Sequence, residues 1–400
     1  MKKIIALVMA IAAVSAVFGG TKFAEEALMP YIESGALPGA ISVFEKPGEQ
    51  DIACVGWADV DKKRPITLDS HFMQCSQTKG FCGVTIAMLV EEGKISLDDP
   101  VSKYLPEFEN LTVRIGRDGD IVKIRKAENV LTIRMCMNHT GGFDFELPNY
   151  RNMGGWSRRM PLRSVAAIAA AQPLLFEPGT KVKYSNVGID IGAAIVERVT
   201  GKRWEDFLKE RVLDPLGMSA TWFWPSEEQL AGKIEMYKMA EGRAPSWRRC
   251  DDRMHTPYSD DRVFPSAGAG LWTTTRDQLK FYRMLMNLGV GENGVRILKE
   301  ETVQSLLAVS TRTDEMIEGY SLGLKAPKAS EDGDDAWFGH GGAWGTNCMV
   351  NWRRKELKLW VVQQGGNPRP WEAARDEAAD KFFAHEIDNS GADAYTGRVE

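Results

Sequence analysis

Apolar residues gather into short strand-like runs at both ends of the chain and into longer helical repeats in the middle. Residues 23–34 set apolar side chains against Glu25, Glu26 and Glu33 at helical spacing and stop at Gly35, which predicts an amphipathic helix. Residues 39–45 and 52–57 are dense in Ala, Ile, Val and Phe. They flank Pro47-Gly48-Glu49-Gln50, a turn signal, so together they read as a hairpin. Helical periodicity then holds over 76–92, 131–138, 163–171, 189–200, 204–212, 275–288 and 300–307, with a short helix at 101–104. Residues 111–115 and 121–125 alternate around Arg117-Asp118-Gly119-Asp120, a hairpin expected to stand out from the surface. Residues 222–264 are irregular and polar. Strand-like runs return at 268–272, 320–324, 348–352 and 357–363, and a last helix covers 371–385. Strands at both ends with helices between them predict an α+β protein, in which an antiparallel sheet is flanked by helices. A helical region of about 76–255 is inserted between its two parts, 20–75 and 256–387. No repeat or low-complexity linker interrupts this, and the polar tail from 388 is expected to be loose.

Four hundred residues with 44% hydrophobic content are enough for a large core. A net charge of −5, a pI near 5.8 and the lack of any basic block argue against nucleic acid as a partner. Lys2 and Lys3 precede an apolar run from Ile4 to Phe18 that is short for a membrane span. Val14-Ser15-Ala16, or Gly19-Gly20, offers a small-residue cleavage site. Residues 1–19 are therefore expected to be a signal peptide, and the mature protein to be exported, periplasmic or secreted. An uncleaved anchor is the competing reading, and contact with a membrane is expected only through that segment. Cys54, Cys75, Cys82, Cys136, Cys250 and Cys348 form no C-x-x-C pair, so neither metal nor cofactor is expected. Cys75 and Cys82, two turns apart, could not bridge within one helix.

The chemistry concentrates at Ser76-Gln77-Thr78-Lys79, the one S-x-x-K in the chain. Residues three apart share a helical face, so the Lys79 amine would lie beside the Ser76 hydroxyl. At a helix N-terminus, free N–H groups favour a developing negative charge. A serine hydroxyl becomes a nucleophile when a neighbouring base takes its proton, and this geometry suits acyl transfer. Tyr184-Ser185-Asn186 supplies a phenol that a lysine ammonium would help to ionise, giving a second acid/base group, and an amide that could hold both the substrate carbonyl and Lys79. His340-Gly341-Gly342-Ala343 precedes a strand-like run, where two glycines admit a substrate backbone. The N–H groups of Ser76 and Ala343 could form an oxyanion hole. Trp337 and Trp344 flank that segment and either wall an acyl pocket or pack against the sheet. Three rivals are set aside. Tyr150-Arg151-Asn152 lacks the preceding Pro-Gly-Thr turn; His139-Thr140-Gly141 reads as a helix C-terminus; and Gly319-Tyr320-Ser321-Leu322-Gly323, a G-x-S-x-G match, is followed by Pro327 where that elbow needs a helix.

In this order, Ser76-x-x-Lys79, His139-Thr140-Gly141-Gly142, Pro178-Gly179-Thr180-x-x-x-Tyr184-Ser185-Asn186, Asp214-Pro215-Leu216-Gly217-Met218, Gly268-Ala269-Gly270-Leu271 and His340-Gly341-Gly342 resemble the serine hydrolases related to class C β-lactamases, low-molecular-weight penicillin-binding proteins and the esterases derived from them. The resemblance spans about 22–385 and implies an active site between the sheet and the helical region. It implies Ser76 as nucleophile, Lys79 and Tyr184 as the acid/base pair, and Asn186 with His340 to Ala343 as substrate contacts. The chain departs from the β-lactamase pattern at His340, where a lysine usually attracts the substrate carboxylate; histidine is largely neutral near pH 7. The expected reaction is cleavage of a small ester, amide or cell-wall peptide through a Ser76 acyl-enzyme, with esterase or peptidase activity favoured over β-lactam hydrolysis. The alternatives are a D,D-peptidase and a non-catalytic protein that binds penicillin or peptidoglycan.

Overall fold

Both ends of the chain build one sheet. The computed structural model describes residues 22–147, 160–239, 247–250, 264–311, 319–327, 337–365, 369 and 371–385. The leader, the tail and the Tyr150-Arg151-Asn152 rival lie outside the described residues. Strands β1 (Gly39–Lys46), β2 (Glu49–Asp59) and β3 (Arg64–Pro65) join β10 (Phe338–Gly342), β11 (Thr346–Asn351) and β12 (Glu356–Val361) in the order β10-β11-β12-β1-β2-β3. Every neighbouring pair is antiparallel, and the seam between the two halves sets Val43 opposite Leu359. Side chains alternate between the faces. Ile41, Val43, Leu357 and Leu359 enter the main core, while Ala40, Phe44 and Trp360 enter a second core. That second core is closed by α1 (Phe23–Glu33) and the C-terminal helix Trp371–Ala384, through Leu28, Trp371 and Phe382.

On the other face lie α2 (Thr78–Glu91) and the helix Thr275–Met286. Between β4 (Phe72–Met73) and β9 (Trp272–Thr273), which pair with each other, run the helices Ile133–Met137, Leu162–Ala170, Asn186–Thr200 and Trp204–Leu208. This inserted region is not purely helical. It carries the hairpin of β5 (Thr112–Asp118) and β6 (Ile121–Lys126), and the segment expected to be irregular contributes β7 (Tyr237–Met239) and β8 (Trp247–Arg249). Strand β7 also pairs in parallel with β13 (Gln364–Gly365).

Two strand expectations are corrected. In 268–272 only Trp272 is paired as a strand, and the preceding glycines form a turn. Residues 320–324 form a tight turn closed by Ser321 N donating to Leu324 O at 2.9 Å. That turn lies against α2, which explains two glycines inside a helix. A Cβ at Gly80 would meet Leu324 at 2.6 Å, and one at Gly83 would meet the Leu322 carbonyl oxygen at 1.8 Å. Gly83→Ala should therefore cost about 1–3 kcal/mol and lower the melting temperature. Gly116→Ala, with nothing within 4 Å of the added carbon, should leave it nearly unchanged.

Candidate active site

The segment carrying the nucleophile leaves β4 through a strained residue. Cys75 has φ +52°, a left-handed conformation that costs a non-glycine residue free energy. A 3₁₀ turn, Cys75–Gln77, then feeds α2. The turn is pinned from three sides. Thr78 Oγ1 donates to Cys75 O at 2.7 Å, Leu271 N donates to Thr78 Oγ1 at 3.2 Å, and Gln74 N donates to Leu271 O at 3.1 Å. Ser76 thus sits in a 3₁₀ turn before the α-helix, half-buried, with Lys79 on the next turn.

Lys79 is fully buried, and its Nζ has three neighbours: Ser76 Oγ at 3.1 Å, Asn186 Oδ1 at 2.7 Å and Gly268 O at 2.6 Å. The last two are carbonyl oxygens and can only accept. A neutral amine has two N–H bonds and one lone pair. With both N–H bonds taken by Asn186 and Gly268, the lone pair faces the serine hydroxyl. Burial lowers the Lys79 pKa to about 7, against the opposing pull of the Asp190 carboxylate. The amine is therefore neutral in a substantial fraction of molecules at neutral pH.

Asn186 is placed by the start of the Asn186–Thr200 helix, whose N-cap Ser185 accepts from Gly188 N at 3.3 Å. Gly268 and Asp190 went unassigned from sequence. Gly268 offers its carbonyl to Lys79, its N–H donates to Asp190 Oδ1 at 3.2 Å, and a Cβ there would strike Asn186 Oδ1 at 2.7 Å. The Gly268-Ala269-Gly270 run was the available signal, but it resembled a strand.

Tyr184 completes the cluster, with Lys79 Nζ 4.7 Å from its ring centroid. The expectation that the lysine ammonium would help ionise this phenol is reversed. Burial drives its pKa well above the usual tyrosine range, and the interaction with the Ser76 hydroxyl offsets this only in part. Tyr184 stays a phenol, a proton donor. His139, set aside as a helix end, does end the Ile133–Met137 helix, at φ +66°. It also braces the phenol. Its carbonyl accepts from Lys183 N at 2.9 Å, its Nδ1 accepts from Ser185 N at 3.3 Å, and its ring lies 4.6 Å from both Tyr184 and Tyr320.

The end of β10 closes the site. His340 is buried, with its ring 6.1 Å from Tyr184 and 5.9 Å from Tyr320. Burial first, and then the Lys79 charge, bring its pKa down to about 3, so it is neutral throughout the physiological range. Gly342 is sterically required, because a Cβ would lie 2.1 Å from Thr346 Oγ1 and 2.4 Å from Gln74 O, beside the nucleophile turn. At Gly341 the nearest atom would be 3.5 Å away, so the fold itself does not demand glycine there. Ala343 is exposed at the strand's end. Trp344 packs with the cluster of Met73, Cys75 and Trp272, next to the nucleophile. Trp337 instead lies 5.3 Å from Phe383 on the far face of the sheet, so it is not a wall of the cleft. Ser321 of the G-x-S-x-G rival is fully buried, with Oγ donating to Leu324 O at 3.4 Å. Among the described residues no group of His, Cys, Asp and Glu could hold a metal ion.

The Beta-lactamase family matches residues 24–381, nearly the whole described chain. The protein belongs to the beta-lactamase family. These are serine hydrolases, and the fold is the one seen in their penicillin-binding and esterase branches. An uncharacterised Mycobacterium tuberculosis protein is 31% identical over 289 residues, covering 71% of this chain and 70% of its own. Esterase EstB of Burkholderia gladioli is 30% identical over 269 residues, covering 61% and 64%. The solved structure of EstCE1, a hydrolase with promiscuous acyltransferase activity, superposes with a TM-score of 0.71 at 20% identity, covering 89% of this chain and 97% of its own. At that identity the likeness is one of fold.

Proposed function

We propose that this beta-lactamase family member is an exported serine hydrolase that cleaves small esters or amides through a Ser76 acyl-enzyme. The observation that carries the proposal is the Lys79 amine, buried, brought to a pKa of about 7, and held by two carbonyl acceptors so that its lone pair meets Ser76 Oγ. Lys79 takes the hydroxyl proton as Oγ attacks the substrate carbonyl. The N–H groups of Ser76 and Ala343 receive the oxyanion. The Tyr184 phenol gives its proton to the leaving group and is replenished from the Lys79 ammonium. Water then repeats the sequence on the ester. Neutral His340 offers no charge to a β-lactam carboxylate, which favours neutral acyl substrates, as does the esterase among the relatives.

A fluorophosphonate probe should label Ser76, as located by peptide mass spectrometry. Hydrolysis of short-chain p-nitrophenyl esters should exceed that of nitrocefin and D-amino-acid amides. Absence of labelling, or lasting fluorescent-penicillin adducts without turnover, would instead identify a binding protein. Export predicts that protein recovered outside the cytoplasm begins near residue 20.

The rate should also depend on pH in a defined direction. Lys79 is a base only when neutral, so kcat/KM for an ester should rise as pH increases through about 7 and then level off. A profile flat from pH 5 to 9, within roughly the span that side-chain titrations near neutrality cover, would remove Lys79 from the role of base.

A further inference from the structure

The β5–β6 hairpin is left without a task by the catalytic machinery. Seven large hydrophobic side chains among the described residues are exposed, and four of them sit here: Ile115 (58%), Ile121 (70%), Val122 (37%) and Ile124 (49%). Soluble proteins scatter such residues, and a concentration on one protruding element marks an interaction surface. The hairpin is also basic in an acidic protein. It holds Arg114, Arg117, Lys123, Arg125 and Lys126 against Asp118 and Asp120, while the whole chain carries −5.

The register separates these charges by face. Lys126 pairs with Thr112, Ile124 with Arg114 and Val122 with Arg117, and directly paired residues point the same way. One face therefore presents Val122 and Ile124 with the exposed Arg117 and Lys126, and no carboxylate of the hairpin lies among them; Arg114, on the same face, is only partly exposed and its Nε is buried. The opposite face is different. There Lys123 meets Asp118 at 3.4 Å, and Arg125 meets Glu128 at 3.2 Å and Glu177 at 2.5 Å, so its cations already have anionic partners. Ile121, paired with Asp118, stands at the tip on that opposite face.

We propose that this hairpin docks the protein on the surface of an anionic lipid bilayer, with Val122 and Ile124 entering the headgroup boundary and Arg117 and Lys126 meeting the lipid phosphates. Apolar side chains interleaved with basic ones, without carboxylates, are what such a surface binds. A protein partner rich in apolar area would not call for two cations, unpaired among the described residues, on the same face. No helix among the described residues is long and apolar enough to cross a membrane, so the contact is peripheral. It would add to any contact made by the leader, and it is independent of the catalytic reading.

The test is sedimentation of the chain lacking residues 1–19 with mixed phosphatidylglycerol–phosphatidylcholine vesicles and with pure phosphatidylcholine vesicles. Binding is expected only to the anionic vesicles and should weaken with salt. The Val122→Asp/Ile124→Asp and Arg117→Glu/Lys126→Glu pairs should each lower partitioning by about tenfold or more. Ester hydrolysis by these variants in free solution should match wild type, which shows that they are folded. Equal binding by wild type and both variants, or no binding to anionic vesicles, would overturn the proposal. So would a vesicle-free dimer that the Val122→Asp/Ile124→Asp pair dissociates, since the apolar face would then belong to a second copy.

Discussion

Ser76→Ala is expected to lower kcat/KM toward a p-nitrophenyl ester by about 10⁴-fold or more while leaving the melting temperature within a degree or two. In the proposed chemistry the Ser76 hydroxyl carries the acyl group, and the hydroxyls of Ser321 and Tyr184 are poor substitutes. Ser321 is buried in its turn, and Tyr184 is held as a phenol. The half-buried Ser76 side chain contributes little packing, so stability and activity should separate cleanly. Assay of the purified variant beside wild type, with fluorophosphonate labelling as a second readout, checks both halves. Retention of even a tenth of the activity would mean that the acyl group never rests on Ser76.

Lys79→Met should be nearly as damaging, with a loss of about 10³-fold or more, the range expected for removing a general base. It should also change how stability responds to pH. In the unfolded chain a lysine titrates near 10.4, whereas in the folded protein Lys79 titrates at about 7. Between those values the unfolded state binds more protons, so wild-type stability rises with pH over that window. Below pH 7 both states are charged, the rise has ended, and the full cost of the buried cation is present. The slope from this one residue is about 1.4 kcal/mol per pH unit. Methionine has no such titration, so the variant should gain stability relative to wild type as pH falls from 10 to 7. It leaves Asn186 Oδ1 and Gly268 O without their donor, a constant cost that shifts the curve but not its slope. Urea melts at several pH values decide the matter, and parallel curves for the two proteins would place the charge of Lys79 elsewhere.

Ser76, Lys79 and Tyr184 were legible because each sits in a short local pattern with a chemical reason for its spacing. The fold class was legible because strand and helix periods differ and segregate along the chain. What escaped was non-local. Gly268 and Asp190 matter through contacts with residues 79 and 186, and no local periodicity encodes a carbonyl that must point at a distant amine. His139 looked like a helix end and is one; its second role depends on residues 183 to 185 returning past it. The direction of the Tyr184 shift was misjudged for a related reason. A nearby cation can be inferred from sequence, but the depth of burial that outweighs it cannot. Residues 320–324 have strand composition, yet they form a turn closed by Ser321 N and Leu324 O and packed against Gly83, a contact with a residue far away in sequence.

The seam that sets Val43 beside Leu359 also fixes when this molecule can acquire its native form. Partners separated by three-quarters of the polypeptide meet only after almost all of it has left the ribosome, and loops of that length close slowly. The six-stranded sheet therefore cannot close until its last strands have been made. A stop codon anywhere before residue 356 would remove β12, the strand that joins β11 to β1, and leave the two halves of the sheet without a seam.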